Sequence, residues 1–351
     1  MINQGFVNLG LLSAVVASIA CASPAQVAAQ SLAEDERRLV EFTEHLSRDA
    51  RPMAQLVGML LMREESAQDS AAEKLAQRSD LPDGALALIA LKVCLQHEYL
   101  ALPAFCSTKP FAEALWATDH SNEFNLSIAC RFSRNPREST DEYVPHTPEE
   151  PCLTHERATR YEDYSQDLKS FLIPALDKHH VLDKANLSPF SELPVMQKVS
   201  PSLLYAELFV HQVYRNVNRH MICDAQTMSL SAPDAQTLKK LQGGLRGSAQ
   251  RMLATGGNSL PTVQCAEGIL VALKDPTAIH RQSVLMESNH GNSVIYSKDS
   301  RDIDGLAKVV NLAARRGDAA AWPKFIQLLE QNLAEAARAK ASERGKTGDA
   351  Q

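Results

Sequence analysis

An apolar run that ends in one cysteine and is soon followed by another constrains the fold more than any other feature. Residues 85–106 read ALALIALKVCLQHEYLALPAFC, with Cys94 near the end of a predicted buried helix. Cys106 precedes a second predicted helix, which Pro110 begins. The end of one helix and the start of the next bring Cα atoms within the roughly 4.4–6.8 Å of a disulfide. The pattern predicts a Cys94–Cys106 disulfide, with a buried free thiol at Cys94 as the alternative.

The composition favours helices throughout the chain. Aromatic residues make up only 5% of the 351 residues, and alanine and leucine dominate the apolar 44%. Strands draw on aromatic and β-branched side chains, so this composition predicts an all-α fold. The formal net charge of −6 argues against a surface that follows a phosphate backbone, and we expect no nucleic-acid partner.

The first residues have the pattern of a secretory signal peptide. No charged side chain precedes Glu34, and the apolar stretch 9–20 is too short to span a bilayer. The small residues at 27–29 fit the cleavage rule of signal peptidase. We therefore predict that residues 1–29 are removed, that the protein is periplasmic or secreted, and that the mature chain has no transmembrane span. Lipid attachment at Cys21 and an uncleaved helix of an intracellular protein are the alternatives.

The cysteine count is consistent with export. Removal of Cys21 leaves an even number of cysteines, which in an exported chain predicts disulfides. No CxxC motif occurs, so the sequence predicts neither a thioredoxin-type redox site nor a compact zinc knuckle. The predicted disulfide cysteines are Cys94, Cys106, Cys130, Cys152, Cys223 and Cys265.

Two of the predicted pairings rest on position in the chain. Cys130 and Cys152 flank a proline-rich acidic segment, and a disulfide there would hold that segment against the first helices. Cys223 and Cys265 are paired by elimination. In a plain antiparallel bundle these two would lie roughly 20 Å apart, so their pairing requires a break at Gly243 and Gly244 that shortens the intervening helix.

The chain divides into two predicted helical blocks. Residues 134–153 contain four prolines and five acidic residues, which is typical of an extended connection. We place there the boundary between an N-terminal block, residues 30–135, and a C-terminal block, residues 136–340. Residues 341–351 have the composition of a disordered tail. The predicted fold is an all-α, irregular array of helical hairpins in two blocks, stapled by disulfides.

Local patterns predict two further boundaries. Ser31 followed by Glu34 is a capping box, which predicts a helix that begins near Leu32. The stretch 283–297, SVLMESNHGNSVIYS, is interpreted as a small β-hairpin or a loop.

Short helix–turn–helix units with small residues at packing positions occur at residues 50–135 and 302–340. Their sequences include KPFAEALWATDHSNEFNLSIACRF and NLAARRGDAAAWPKFIQLL, with turns at residues 119–122 and 317–318. In this respect the chain resembles tandem α-helical hairpin repeat proteins of the tetratricopeptide kind. The resemblance implies a packing style of stacked helical hairpins and no particular ligand.

The motifs of common enzymes and metal sites are incomplete. His97 and His155 are each followed by glutamate, as in the zinc-protease motif HExxH. Ala101 and Thr159 stand where that motif needs its second histidine. The sequence therefore predicts no metal site and no cofactor.

Two hypotheses about function remain open. In the first, a non-enzymatic exported protein presents its helical array to another protein, as an interaction or assembly module. In the second, a hydrolase-type enzyme assembles its site from residues distant in sequence. The candidates for that site are Asp177, His179, His211 and His220.

Overall fold

A computed structural model describes residues 26–95, 103–119, 121–133, 158–182, 198–214, 235–291 and 300–348. Within these ranges the secondary structure consists of helices, with no strand among them, which confirms the predicted all-α class. None of the helices in these ranges is long and apolar enough to cross a membrane.

The α-helices fall into an earlier and a later group along the chain. The earlier ones are α1 (Gln26–Arg48), α2 (Pro52–Leu61), α3 (Glu65–Ala76), α4 (Ala85–Ile89), α5 (Lys109–Ala117), α6 (Glu123–Ser133) and α7 (Ser165–Lys178). The later ones are α8 (Pro201–Tyr214), α9 (Ala235–Ala254), α10 (Leu260–Ala272), α11 (Pro276–Gly291), α12 (Ser300–Arg316) and α13 (Asp318–Gly348). A π-helical turn (Ala90–Cys94) continues α4, and a 3₁₀ turn (Ala104–Ser107) precedes α5.

The described helices share a main hydrophobic core. Its largest cluster includes Phe42 of α1, Leu88 of α4, Leu172 of α7 and Ile269 of α10, all of them buried. Residues from both sides of the predicted boundary therefore pack together. The boundary segment 134–153 itself lies outside the described residues, and the division into two blocks stays a prediction.

Two smaller clusters complete the interior. One joins α8 to α12 through Leu203, Leu306 and Val310. The other joins α10, α11 and α13 and includes Trp322 and Phe325 of α13. Because α13 follows α12 after the single residue Gly317, these two helices form the hairpin predicted at residues 317–318.

The Cys94–Cys106 disulfide is present in the structure. The two Cα atoms are 5.8 Å apart, and both residues are buried. Cys265 is buried in α10 and is also disulfide-bonded, but its predicted partner Cys223 lies outside the described residues. Cys130 is part of α6, and its side chain lies outside the described part of the chain. Cys21 and Cys152 also lie outside it.

Helix α1 begins earlier than the capping box predicts. It starts at Gln26 and continues through Ser31, so the predicted start near Leu32 is wrong. Val27, Ala28 and Ala29 are compatible with helical backbone, and alanine has the highest helix propensity of all residues. The helix therefore runs across the predicted signal-peptide cleavage site.

Helix α11 replaces the hairpin or loop predicted for the start of residues 283–297. The Asp275 carboxylate accepts hydrogen bonds from the backbone N–H groups of Thr277 and Ala278, and Pro276 occupies the first helical position. Val284 is buried against neighbouring helices, which stabilises the helical conformation. Residues 292–297 lie outside the described part of the chain.

Helix α13 also extends further than its composition predicts. It continues to Gly348 and so covers most of residues 341–351, for which we predict a disordered tail. Residues 334–344 consist mainly of alanine, glutamate, arginine and lysine, which favour helix, and no proline interrupts them.

Candidate functional site

Polar side chains from distant parts of the chain converge where three helices begin. The loops before α7, α10 and α13 meet there, joined by a hydrogen bond from the Asp163 N–H to Asn258 Oδ1 (3.0 Å). A second hydrogen bond, also of 3.0 Å, runs from the Asp318 N–H to the Asn258 carbonyl. All the polar side chains at this junction are buried. We call the cluster the polar hub; its members are Asp163, Lys169, Glu207, Asn258, Ser259, Thr262 and Asp318.

Asp163 caps two helices at once. Its Oδ2 atom accepts hydrogen bonds from the Ser259 N–H (2.8 Å), the Ser259 hydroxyl (2.6 Å) and the Thr262 hydroxyl (2.6 Å) at the start of α10. Its Oδ1 atom accepts one from the Ser165 N–H (3.0 Å) at the start of α7. Helix N-termini carry unpaired N–H groups and partial positive charge, so a buried carboxylate is stabilised at this position.

Asn258 connects these helices to the segment before them. Its side-chain NH₂ group donates to the carbonyls of Met252 (2.8 Å) and Tyr161 (3.3 Å). Its backbone carbonyl accepts from the N–H groups of Asp318 (3.0 Å) and Ala319 (3.2 Å) at the start of α13. The side-chain oxygen of Asn258 thus binds the segment before α7, and its backbone carbonyl binds the start of α13.

Gly317 allows the backbones of the hub to approach closely. Its φ of +86° lies in the left-handed region. A Cβ atom at this position would lie 2.4 Å from the Gly256 oxygen and 2.4 Å from the Gly257 Cα. A larger residue at position 317 would therefore separate α13 from the loop before α10.

A buried ion cluster links the hub to α8. Lys169 Nζ lies 2.8 Å from Glu207 Oε2 and 3.3 Å from Asp318 Oδ2. The same Asp318 oxygen accepts a hydrogen bond of 2.8 Å from the Leu260 N–H at the start of α10. Asp318 therefore joins the ion cluster to the helix that Asp163 caps.

Burial and charge act in opposite directions within this cluster. Burial alone would lower the pKa of Lys169, but Asp318 and Glu207 outweigh that effect and raise its pKa above the ordinary value. Burial raises the pKa of Glu207 to about 7, although the Lys169 ammonium opposes the shift. Lys169 is thus held in its charged form, and the pKa of Glu207 lies near neutral pH.

A second buried ion pair lies beside the hub. Glu123 at the start of α6 is fully buried, and its Oε2 atom accepts hydrogen bonds from Arg251 Nε (3.0 Å) and Nη2 (2.8 Å). The Ser248 hydroxyl donates to its other oxygen. This pair fastens α9 to α6 across the predicted block boundary.

A second polar cluster, buried apart from the half-buried Asp119, contains two residues with left-handed backbone. Asp119 has a φ of +44° and Tyr164 a φ of +61°, and the Tyr164 hydroxyl donates to Asp119 Oδ2 (3.1 Å). The side-chain NH₂ groups of Asn122 and Asn125 donate to the same hydroxyl oxygen at 2.9 and 3.1 Å. Burial raises the pKa of Tyr164 to about 12. The tyrosine is therefore a neutral structural group at ordinary pH.

The described residues of the predicted hydrolase site are not brought together. Asp177 and His179 are exposed at the C-terminal end of α7. Lys169 of α7 contacts Glu207 of α8. Further along α7, Ile173 packs against the cluster that contains Leu203, which comes before Glu207 in α8. The two helices are therefore antiparallel.

His211 is consequently level with the start of α7. The rise of an α-helix places it about 20 Å from His179 along the helix axis. His179 instead lies beside His45 of α1, with ring centroids 4.6 Å apart. His220 lies outside the described residues.

The polar groups of the hub are engaged as helix caps and ion pairs. In the described part of the chain, no three histidine, cysteine, aspartate or glutamate side chains are grouped so that they could hold a metal ion. A surface depression at the C-terminal end of α10 is lined by Arg246 and Lys274, and Arg246 is paired there with Asp275 (3.0 Å).

No protein-family model, curated protein or solved structure matches this chain. The described residues form an all-α array in which α7, α8, α10 and α13 meet at the buried polar hub.

Proposed function

We propose that this protein is an exported, non-enzymatic helical protein that binds another protein through the outer face of α11. Two large apolar side chains, Ile279 and Met286, are each 42% exposed on this helix. Their spacing of two helical turns places them on one face. Ala278, Val284 and Leu285 of the same helix are buried. Helix α11 thus exposes apolar side chains in addition to those that it buries in the core, and the proposal rests on this observation.

The surroundings of Ile279 and Met286 suit a narrow protein contact. The exposed polar residue Ser283 lies between them on the same face, and the adjacent His280 pairs with Glu330 of α13 (2.9 Å). Apolar centres with polar rims are typical of protein interfaces. Because the two exposed apolar side chains lie two turns apart on one helix face, they fit an amphipathic helix of the partner, which would bring its own apolar stripe.

The geometry of the polar residues favours this proposal over a hydrolase. A hydrolase needs a nucleophile, a base and an orienting group within hydrogen-bond reach of one another. The antiparallel arrangement of α7 and α8 separates His211 from Asp177 and His179 by about 20 Å. Most polar atoms of the hub are engaged in capping or ion pairing, as their hydrogen bonds indicate.

Export is supported by the Cys94–Cys106 disulfide. Disulfides form and persist in oxidising compartments and are rare where thiols are kept reduced. The signal-peptide pattern of residues 1–29 points to the same location.

The test of this function is site-specific photo-crosslinking of the full-length protein in its native host. A photo-reactive residue replaces Met286 in one variant and the exposed Glu73 of α3 in the control variant. We expect a covalent adduct of one defined mass from position 286 and none from position 73.

A second substitution links the adduct to the α11 face. Ile279→Asp, introduced beside the probe at position 286, should abolish the adduct while the circular dichroism of the protein stays unchanged. An adduct that persists in the Ile279→Asp variant, or equal adducts from both probe positions, would exclude the α11 face as the binding surface. The absence of any adduct from position 286 would exclude it as well.

A further inference from the structure

One carboxylate oxygen of the buried ion cluster has no hydrogen-bond partner among the described residues. Glu207 Oε2 is paired with Lys169, whereas Glu207 Oε1 is buried and has no hydrogen-bond partner among the described residues. An ionised carboxylate normally has both oxygens satisfied when it is buried, because an unpaired buried charge is costly. The geometry therefore disfavours a negative charge on Glu207.

The charges of the cluster lead to the same conclusion. One ammonium, on Lys169, faces two carboxylates, on Glu207 and Asp318, and all three residues are buried. With both carboxylates ionised, the cluster would hold one uncompensated negative charge away from water. Asp318 Oδ2 accepts hydrogen bonds from the Leu260 N–H at the start of α10 and from Lys169, whereas Glu207 Oε1 accepts none from the described residues, so Glu207 is the group to be neutralised.

We propose that Glu207 takes up a proton from the solvent in the folded protein. The Lys169–Glu207–Asp318 cluster is then a pH-dependent latch that holds α7, α8 and α13 together more tightly as the medium becomes more acidic. The proton adds to the carboxyl group of Glu207, and Oε2 continues to accept the hydrogen bond from Lys169. No covalent bond forms or breaks apart from the O–H bond.

The groups that face Glu207 in the described structure are few, which makes the latch simple to test. Lys169 faces it from α7 and Asp318 from α13. Helix α10 contributes the Leu260 N–H to Asp318, and α12 packs against α8 with apolar residues such as Leu306. The proton on Glu207 therefore responds chiefly to the one positive and the one negative neighbour.

The sign of the effect follows from the direction of the shift. Burial raises the pKa of Glu207 from its ordinary value of 4.5 to about 7 in the folded protein. The stabilisation by the latch is fully present below about pH 4.5 and is lost as the pH rises through about 7. Between about pH 4.5 and pH 7, ionisation of Glu207 should therefore increase the equilibrium constant for unfolding on the order of a hundredfold.

The test compares wild-type protein with Glu207→Gln in urea unfolding at pH 5, 6, 7 and 8, with the disulfides intact. Glutamine reproduces the neutral acid and cannot ionise. The ratio of the wild-type unfolding constant to that of Glu207→Gln should rise about tenfold or more between pH 5 and pH 8. Glu44→Gln, a change in an exposed ion pair with Arg48, is the control and should leave the pH dependence unchanged.

Three results would overturn the latch. The first is a ratio that stays constant with pH, and the second is a ratio that falls as the pH rises, since both mean an ionised Glu207. The third is a Glu207→Gln protein that fails to fold, because an amide is then no substitute for the native group. Infrared spectra at pH 6 provide an independent readout. The wild type should show a protonated-carboxyl band that Glu207→Gln lacks, and identical spectra would also contradict the proposal.

Discussion

Asp163 and Ser259 are separated by 96 positions in the sequence, yet the Asp163 carboxylate binds both the N–H and the hydroxyl of Ser259, at 2.8 and 2.6 Å. The contact gives α10 a buried cap that no neighbouring residue supplies. Local sequence therefore does not determine how this helix begins.

The first prediction concerns this cap. Asp163→Asn should lower the free energy of unfolding by about 3 kcal/mol, because an amide nitrogen cannot accept the hydrogen bonds that a carboxylate oxygen accepts. Urea denaturation followed by circular dichroism measures the change. Glu162→Gln is the matched control, since Glu162 is half-exposed and its ion pair with Arg160 is worth about 1 kcal/mol or less. Equal losses in both variants would show that the cap contributes nothing special.

Two glycine-to-alanine substitutions should change the free energy of unfolding in opposite directions. Gly317→Ala should lower the free energy of unfolding by about 3 kcal/mol or more, since it combines a left-handed backbone with a 2.4 Å clash against Gly257. Gly243→Ala in α9 meets no atom within 4 Å and should raise it by about 0.5–1 kcal/mol. Thermal unfolding of both proteins is the measurement. A stable Gly317→Ala protein would mean that the backbones at the hub are further apart than the structure shows.

The buried ion pair beside the hub should matter more than an exposed one. Arg251→Met leaves the fully buried Glu123 without its cationic partner and should cost about 3 kcal/mol of unfolding free energy. Arg48→Met removes an exposed pair with Glu44 and should cost about 0.5 kcal/mol or less. Denaturant titrations of the two variants distinguish these values. Comparable losses would contradict the burial of Glu123.

The disulfide should contribute substantially to stability. Replacement of both Cys94 and Cys106 by alanine should lower the free energy of unfolding by about 3 kcal/mol, because the short loop between them loses its constraint in the unfolded chain. Guanidinium unfolding of this double variant and of the wild type provides the comparison. An unchanged midpoint would indicate that the bond adds no stability.

Export predicts a specific mass. Protein purified from its native host should lack residues 1–29, and alkylation without reductant should label no thiol, since the remaining cysteines are predicted to be paired. Intact mass spectrometry, with and without reductant, reads both properties together. A full-length chain with free thiols would favour the intracellular alternative, and a lipid mass at Cys21 would favour the anchored one.

The sequence predicted some of the features that depend on local chemistry, although the local capping-box signal at Ser31 misplaced the start of α1. Pro110, which predicts the start of a helix, occupies the second position of α5. The Cys94–Cys106 disulfide followed from the spacing of two predicted helices. These signals act over a few residues, so they can be recognised in the sequence alone.

The polar hub was not predicted, because its contacts join residues that are far apart. One signal was present in α7, where Lys169 shares a helical face with Leu168, Leu172 and Leu176. A charged residue on an apolar stripe indicates a buried partner. It does not identify the partner, and Glu207 and Asp318 became evident only from the packing of α8 and α13 against α7.

The long sequence separations at the hub have a consequence for how the chain folds. Asp163 reaches Thr262 across 99 positions, and Asp318 reaches Leu260 across 58. Individual helices form in about a microsecond, whereas contacts between distant segments require the closure of long loops. Folding should therefore be slow for an all-helical chain, limited by the encounter of three helix ends rather than by the formation of any one helix.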